Sequence, residues 1–267
     1  MSGLPRCDTL RCDIEDGVAT VTLDRTSSLN AFSSLMQDEL AALIPVLAAD
    51  AEVRAVILTG AGRAFCSGGD ISEMEGAGEP IPLASRNKLQ RMLTGVLMPL
   101  VRLEKPVIAA VNGTAVGAGM NLALACDITL AADTAKFCQA FVKVGLVPDT
   151  GGLFLLTRLI GMNRAKELCF TGRTITATEA LELGLVNRVL PAEALMPAAR
   201  QLARELAQGA TAAIGMTKAL LNLAPTATLE EMAQFESLAL AVTLSTQDHR
   251  EGIRAFREKR APQFCGR

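Results

Sequence analysis

The sequence lacks most of the side chains on which binding sites for nucleic acids, sugars and metals depend. Its 267 residues include no Trp, no Tyr, nine Phe and a single His. Without Trp and Tyr there is little to stack on bases or sugar rings, and one His without a ligand cluster argues against a zinc site. The net charge is −2 and the basic residues are scattered, which argues against a nucleic-acid surface. We therefore expect no metal and no nucleic-acid partner.

Long apolar runs and paired cysteines are also missing. No run reaches the ~18 to 20 apolar residues that cross a bilayer, and residues 1–13 mix Pro, Arg, Cys and Asp where a signal sequence has an apolar core. The seven cysteines are an odd number without a CxxC spacing, as in proteins whose cysteines are small buried hydrophobes in a reducing compartment. We expect no membrane partner and a cytoplasmic location.

What the chain does have is hydrophobicity arranged in alternating segments. Half of the residues are hydrophobic, enough for a large core. Strand-like and helix-like segments alternate up to about residue 190, which is typical of an α/β fold. From Pro191 onward almost every segment is helical. The sequence thus predicts an α/β core over residues 1–190 and a C-terminal helical region over residues 191–267.

Individual elements follow from the same patterns. Predicted strands are 8–15 and 18–23, with a turn at Asp16–Gly17, and then 53–59, 106–111, 127–131 and 185–190. Pro80 and Pro82 indicate a loop before a helix that ends near Leu103. The other predicted helices are 33–49, 120–126, 151–160, 163–170, 178–183, 192–207, 210–222, 228–245 and 250–258.

Two glycine-bearing turns each follow a strand-like run. The first lies in Ala64–Asp70, and the second lies in Asn112–Gly119 and opens a helix. Glycine lets backbone N–H groups approach a ligand, and a helix N-terminus adds partial positive charge. Side by side, such turns could hold an oxygen that becomes negative during a reaction, which is an oxyanion hole.

Simpler interpretations of these turns remain open at this point. Each turn by itself is as well explained as a tight connection without a ligand, since glycine is the usual residue where φ is positive. A dinucleotide-binding loop is a second alternative, because Gly117 and Gly119 stand between a strand and a helix. That match is weak, since Leu122 occupies the third glycine position of the fingerprint.

The turns belong to a longer series of motifs in a fixed order, and in this series the chain resembles the crotonase family of enoyl-CoA hydratases and isomerases. The resemblance covers nearly the whole length. Its motifs are Ser28–Phe32, Ala55–Gly60, Ala64–Ile71, Lys105–Gly113, Gly117–Asp127, Gly145–Gly152, Phe170–Gly172, Ala180–Val186, Arg250–Gly252, Ala255–Phe256 and Glu258–Arg260.

The resemblance implies a fold, a substrate class and an assembly. The fold is a spiral of ββα units with a C-terminal helical trimerisation region, and the assembly is a homotrimer or a dimer of trimers. The substrate is an acyl-CoA thioester, so coenzyme A is part of the substrate and no separate cofactor is expected. The oxyanion hole falls on the backbone N–H groups of Gly69 and Ala118, next to Gly68 and Gly117.

The resemblance also assigns residues to the rest of the substrate. Asp70 and Ile71 are expected along the pantetheine, and the segment Asn30, Ala31 and Phe32 near the adenine. Phe256 and Lys259 match tail residues that reach a CoA nucleotide, on the same or a neighbouring subunit. Lys259 could equally be a solvated helix residue, which is the commoner situation of a lysine.

The chain departs from the family at the residues that decide the reaction. Family hydratases use two glutamates, which correspond to Asn121 and Phe141 here. Phe141 can neither activate water nor deliver a proton. Asn121 does not titrate, although it can orient a water or a substrate. Both are therefore expected to contact the substrate, and a hydratase mechanism of the usual kind is not expected.

One carboxylate remains at a family catalytic position, in Asp149. From the residues alone, the favoured interpretation of Asp149 is a turn residue or a helix N-cap. The resemblance favours a catalytic role, because isomerase-type members that act on epoxyphenylacetyl-CoA have Asp here. In a dehalogenase-type member this Asp is the nucleophile, but the single His of this chain, His249, lies in the tail, far in sequence from Asp149.

The resulting hypothesis is an isomerase. Asp149 would take a proton from a carbon near the thioester, the N–H groups of Gly69 and Ala118 would hold the enolate, and Asp149 would return the proton to another carbon. The product has a shifted double bond or a rearranged epoxide. The alternatives are a hydratase that uses non-standard residues and a catalytically idle acyl-CoA-binding protein of the same fold.

Overall fold

The computed structural model describes residues 3–76 and 81–267. Within these residues the strands form a six-stranded sheet in the order β1-β2-β3-β5-β7-β10 and a four-stranded sheet in the order β4-β6-β8-β9. The strands are β1 (Leu10–Glu15), β2 (Val18–Leu23), β3 (Ala55–Gly60), β4 (Ala64–Cys66), β5 (Val107–Val111), β6 (Thr114–Val116), β7 (Ile128–Ala132), β8 (Lys136–Cys138), β9 (Thr174–Thr176) and β10 (Arg188–Leu190).

The helices follow the strands along the chain. They are α1 (Ser34–Ala49), α2 (Ile71–Gly76), α3 (Pro82–Met92), α4 (Met98–Arg102), α5 (Ala118–Leu124), α6 (Gly152–Thr171), α7 (Ala177–Glu182), α8 (Ala192–Ala207), α9 (Thr211–Leu223), α10 (Leu229–Leu244) and α11 (Gln247–Glu258). A π-helical turn, Leu93–Leu97, joins α3 to α4, and 3₁₀-helices cover Thr26–Ser28 and Ala140–Val144.

The two sheets grow together as the chain spirals. β3, β5 and β7 are adjacent and parallel in the first sheet, while β4, β6 and β8 are adjacent and parallel in the second. Each pass of the chain therefore adds one strand to each sheet and then a helical segment. This is the crotonase-type spiral of ββα units, and the expected fold class is confirmed. Because β4 and β6 are neighbouring parallel strands, the turns that follow them lie at the same end of the second sheet.

Local sequence explains the central elements. β3 and β5 are buried almost throughout, in keeping with their uninterrupted apolar runs. The β1–β2 hairpin turns at Asp16 and Gly17, whose φ values are 52° and 77°, as a two-residue turn with positive φ requires. Ser33 accepts a hydrogen bond from the N–H of Met36 and so caps α1. These predictions are confirmed.

The core lies between the sheets and the helices that cover them. All seven residues of α5 are buried; all are apolar or small except Asn121. α8 also contributes to this core through Leu195, Ala199, Ala203 and Ala207. The first helix of the C-terminal region therefore packs on the body of the protein.

Several predicted boundaries need correction. The predicted strand 185–190 is wrong at its start, since β10 covers only Arg188–Leu190. The strands of the second sheet were not predicted, because three residues are too few to show an alternating pattern. α6 does contain the predicted break, at Gly161 with φ 76°. Pro80 lies outside the described residues.

The last helices present a different surface. α10 has an apolar sequence but none of its residues is buried. In the described parts of the chain, no helix combines the length and the hydropathy that crossing a membrane demands.

Candidate active site

Two adjacent turns present backbone N–H groups. The pairing of β4 with β6 brings the turn at Gly68–Gly69 beside the turn at Gly117–Ala118. Gly68 has φ +93°, and a Cβ on it would lie 2.8 Å from the Val116 carbonyl oxygen and 3.8 Å from the Ala118 nitrogen. Among the residues that the structure describes, neither Gly69 nor Ala118 donates its N–H to a protein acceptor. The turns thus offer two neighbouring donors to a ligand.

The second turn is held rigidly. The Gly117 N–H donates to the Cys138 carbonyl at 2.8 Å. A Cβ on Gly119 would lie 2.4 Å from the Cys66 carbonyl oxygen, so the start of α5 packs directly against β4. Ala118 is the first residue of α5, where a free N–H lies at the positive end of the helix dipole.

The carboxylate of Asp149 comes from a third turn, in front of α6. Thr150 and Gly151 have positive φ values of 49° and 71°. The N-cap of α6 is Gly151, without a side-chain cap, and the Asp149 main chain rather than its side chain accepts the Gly152 N–H, at 2.9 Å. The alternative that the Asp149 carboxylate serves as a helix cap is therefore wrong.

The surroundings of Asp149 favour its neutral form. Burial raises the pKa of its carboxyl, and the effect is opposed by hydrogen bonds from the Thr150 hydroxyl, at 2.8 Å, and from its own backbone N–H. No charged side chain contributes to the shift. A carboxylate that is poorly solvated in this way is a stronger base than one in water.

Asn121 connects the Asp149 turn to the oxyanion turns. Its side chain is fully buried, donates to the Asp149 carbonyl at 2.8 Å and accepts from the Gln139 side chain at 2.7 Å. Because Asn121 lies three residues after Ala118, one turn of α5 separates the side chain that bonds to the Asp149 carbonyl from the Ala118 N–H. Both ends of the amide are occupied by protein, which suits a positioning role.

Gln139 was not singled out from the sequence. Its side chain is buried and its Oε1 has no protein partner within the described residues. The only local signal was a polar residue beside an apolar segment, which is weak by itself.

Apolar side chains border the three turns. The Phe141 ring lies 3.4 Å from where a Cβ of Gly117 would be. The Met74 methyl carbon lies 2.7 Å from where a Cβ of Gly69 would be. A methyl carbon of Leu97 lies 2.6 Å from where a Cβ of Gly151 would be. Leu97 thus lies against the turn that carries Asp149, whose carboxyl pKa is raised by burial.

The residues expected near the adenine support the first turn. Phe32 N–H donates to the Gly68 carbonyl at 2.8 Å, and Ala31 and Phe32 are buried. The Asn30 side chain is fully buried, accepts from the Arg25 N–H at 2.9 Å and donates to the carbonyl groups of Ala61 and Ala64. Protein contacts thus occupy the whole amide of Asn30.

The residues expected along the pantetheine differ from each other. The Asp70 side chain is buried and receives hydrogen bonds from the Ser72 hydroxyl and from Arg25, which lower its pKa. Its contact with Arg25 is 2.8 Å. Ile71, in contrast, is 61 % exposed. Of this pair, only Ile71 has a side chain free to contact a ligand.

The two residues of the tail lie at the end of α11. Phe256 is 85 % exposed, so its ring contacts little within one chain. Lys259 has φ 54° and ends α11. Across the ranges 3–76 and 81–267, no cluster of three His, Cys, Asp or Glu side chains could hold a metal ion.

Comparisons with known proteins show the family of this chain. The family model described as Enoyl-CoA hydratase/isomerase matches residues 13–267. The chain is 41 % identical to 1,2-epoxyphenylacetyl-CoA isomerase of Escherichia coli, over 95 % of this chain and 97 % of that protein. It is also 41 % identical to short-chain-enoyl-CoA hydratase of Clostridium acetobutylicum, over 92 % of this chain and 93 % of that protein.

Solved structures show the same fold. An enoyl-CoA hydratase from Bacillus anthracis superposes with a TM-score of 0.92 at 35 % identity, over 97 % of this chain and all of that one (100 %). Sequence and structure agree over nearly the whole length, and the chain belongs to the enoyl-CoA hydratase/isomerase family.

Proposed function

We propose that the protein is an acyl-CoA isomerase in which Asp149 is the acid and base. Asp149 removes a proton from a carbon near the thioester, and the electrons move to the thioester oxygen. The N–H groups of Gly69 and Ala118 stabilise the enolate that results. Asp149 then returns the proton to a different carbon, which shifts the double bond or completes the rearrangement of an epoxide.

The observation that carries this proposal is the link between Asp149 and the oxyanion turns. The Asn121 amide joins the Asp149 main chain to the first turn of α5, at 2.8 Å. The Asp149 carboxyl, whose pKa burial raises, thereby belongs to a turn that is bonded to α5, the helix that begins at Ala118. Within the described residues, the N–H groups of Gly69 and Ala118 have no protein acceptor. One carboxylate is sufficient for an isomerisation, because the proton taken up in the first half is returned in the second.

The same residues favour isomerisation over hydration. Hydration needs a base for water and an acid for carbon, and Phe141 supplies neither. The Asn121 amide is fully buried, bonds to Asp149 and Gln139 and cannot titrate, so it replaces neither the base nor the acid. The 1,2-epoxyphenylacetyl-CoA isomerase and the short-chain hydratase are equally similar to this chain, at 41 % identity each, so the site residues rather than the identities favour isomerisation.

Coenzyme A binding and assembly belong to the same proposal. We propose that the backbone at Ala31 and Asp70, the side chain of Ile71, and Phe256 with Lys259 contact coenzyme A. The exposed apolar residues of α10 would pack against other copies in a trimer or a dimer of trimers. Light scattering should then show three or six chains of 28.1 kDa each, whereas a stable monomer at micromolar concentration would contradict the assembly.

Turnover of a small panel of thioesters tests the activity. Purified protein is incubated with a Δ3-enoyl-CoA, a Δ2-enoyl-CoA and an aryl-epoxide acyl-CoA, and the products are separated by mass and retention. We expect products of unchanged mass, and in deuterated water exchange of α or γ protons. Addition of 18 mass units to the Δ2-enoyl-CoA as the main reaction would instead establish a hydratase. Binding without any turnover would establish an idle binding protein.

A further inference from the structure

Thr150 has an unusual backbone conformation for its residue type. Its φ is 49°, in the left-handed region that β-branched residues avoid. Gly or Asn would satisfy the turn with less strain. Thr150 is nevertheless 1 % exposed, and its hydroxyl donates to Asp149 Oδ1 at 2.8 Å. Strain retained beside a reactive group suggests that the hydroxyl has a function beyond the turn.

The hydroxyl acts on a carboxylate that has few other partners. No second side chain among the described residues donates to the Asp149 carboxylate, so Oδ2 has no side-chain donor there. Of the elements around it, α5 and the Leu93–Leu97 turn contain no charged residue. In the Ala140–Val144 helix, Lys143 extends over Gly172. On α6, Arg158 stacks on Phe154, with 3.5 Å to the ring centroid.

We propose that Thr150 is a positioning residue for Asp149, whose hydroxyl holds Oδ1 and leaves Oδ2 to exchange the proton with the substrate. The inference rests on the proposed role of Asp149. When Oδ2 takes the proton, the C–H electron pair moves to the thioester oxygen, and Thr150 keeps its own proton throughout. The hydrogen bond orients the carboxylate and stabilises its charged form, so that burial does not convert the base into a neutral acid.

A set of matched variants tests this role in the full chain. Thr150→Val keeps the shape and removes the hydroxyl, Thr150→Ala removes both the hydroxyl and the β-branch, and Thr150→Ser keeps the hydroxyl. The first readout is the pH titration of the Asp149 carboxyl by ¹³C NMR in protein labelled at aspartate, assigned from the signal lost in Asp149→Asn. The second is the pH profile of kcat/KM with a Δ3-enoyl-CoA.

The expected results separate positioning from a purely structural role. In Thr150→Val and Thr150→Ala the Asp149 midpoint and the acid limb of kcat/KM should both move up by about one pH unit. kcat at the plateau should fall about tenfold at an unchanged KM. Thr150→Ser should keep the wild-type midpoint. In wild type, the Asp149 carboxyl signal should show a hydrogen/deuterium isotope shift from the hydroxyl, a measurement that needs no substitution at Thr150.

Specific results would overturn the inference. A midpoint that stays in place in Thr150→Val and Thr150→Ala, or a wild-type signal without an isotope shift, would reduce Thr150 to a turn residue. The NMR readout does not depend on activity. If it responds as expected while no thioester is isomerised, the proposed function fails and the positioning of the carboxylate stands.

Discussion

The oxyanion turns and the Asp149 turn supply chemistry from different parts of the chain. The first two offer backbone N–H groups, with glycines that allow the close approach. The Asp149 turn offers a carboxylate. The Thr150 hydroxyl donates to this carboxylate, and the Asn121 amide donates to the Asp149 main-chain carbonyl. The two glycine turns therefore need residues that can adopt their backbone conformation, whereas the Asp149 turn needs the carboxyl group itself. A substitution that keeps the backbone conformation should preserve the N–H donors of Gly69 and Ala118, but it should not preserve the function of Asp149.

The largest effect is expected from Asp149→Asn. The variant keeps the size of the side chain and removes the base, so isomerisation should fall by ~10² to 10⁴-fold. Acyl-CoA binding should persist, and exchange of substrate protons in deuterated water should disappear. Exchange at the wild-type rate in a folded variant would show that Asp149 is only a turn residue.

The pH dependence sharpens the same prediction. Since Asp149 must be ionised to act as a base, wild-type activity should decline as the pH falls through its pKa, which burial raises above the ordinary value for Asp. A raised carboxyl pKa lowers stability at neutral pH relative to acid pH. Asp149→Asn, which has no titrating group, should therefore compare more favourably with wild type in stability at neutral pH than at acid pH. Thermal melts at several pH values measure this.

The second largest effect is expected from Gly69→Pro, which removes one backbone donor. Loss of one oxyanion donor costs about 10² to 10³-fold in kcat in a model protease, and affinity for coenzyme A should change much less. Gly69→Ala is the matched control, because it keeps the N–H and its Cβ would meet only the flexible end of Met74, at 2.7 Å. A folded Gly69→Pro with normal turnover would refute the oxyanion assignment.

A smaller effect is expected where a side chain acts through the Asp149 main chain. Asn121→Leu leaves the Asp149 carbonyl and the Gln139 amide unpaired, which should cost about 1 to 3 kcal/mol of unfolding free energy and about tenfold in kcat. Gln139→Met should cost less, because it also removes the Oε1 that has no partner in the described residues. Denaturant unfolding and steady-state kinetics compare the two. Equal losses in the two variants would contradict the expectation that Asn121→Leu costs more than Gln139→Met.

The smallest effect is expected at the periphery. Phe256→Ala should raise KM for acyl-CoA by roughly threefold to tenfold, as for loss of one contact to the ligand, and leave kcat unchanged. Light scattering should confirm that the assembly persists. An unchanged KM would remove Phe256 from the coenzyme A site.

The prediction from sequence was most accurate for features that depend on a few neighbouring residues. The hairpin at Asp16–Gly17, the cap at Ser33 and the break near Gly161 all depend on the conformational preferences of a few neighbouring residues. The short strands of the second sheet were missed, because three residues carry too little pattern. The assignment of Asn30 and Asp70 to the ligand stays a prediction, but the bonds of their side chains to Arg25 were not predicted. Such pairings depend on distant residues and are invisible in a local motif.

By itself, the sequence determined where the backbone could approach a ligand closely and which of the family's acidic residues are absent, because glycine conformation and residue identity are properties of single positions. Only the tertiary structure decided what holds Asp149. Its carbonyl meets the Asn121 amide across 28 residues, and Gln139 meets that amide across 18. A buried polar group must take the partner that packing brings to it, and packing is set by the whole spiral.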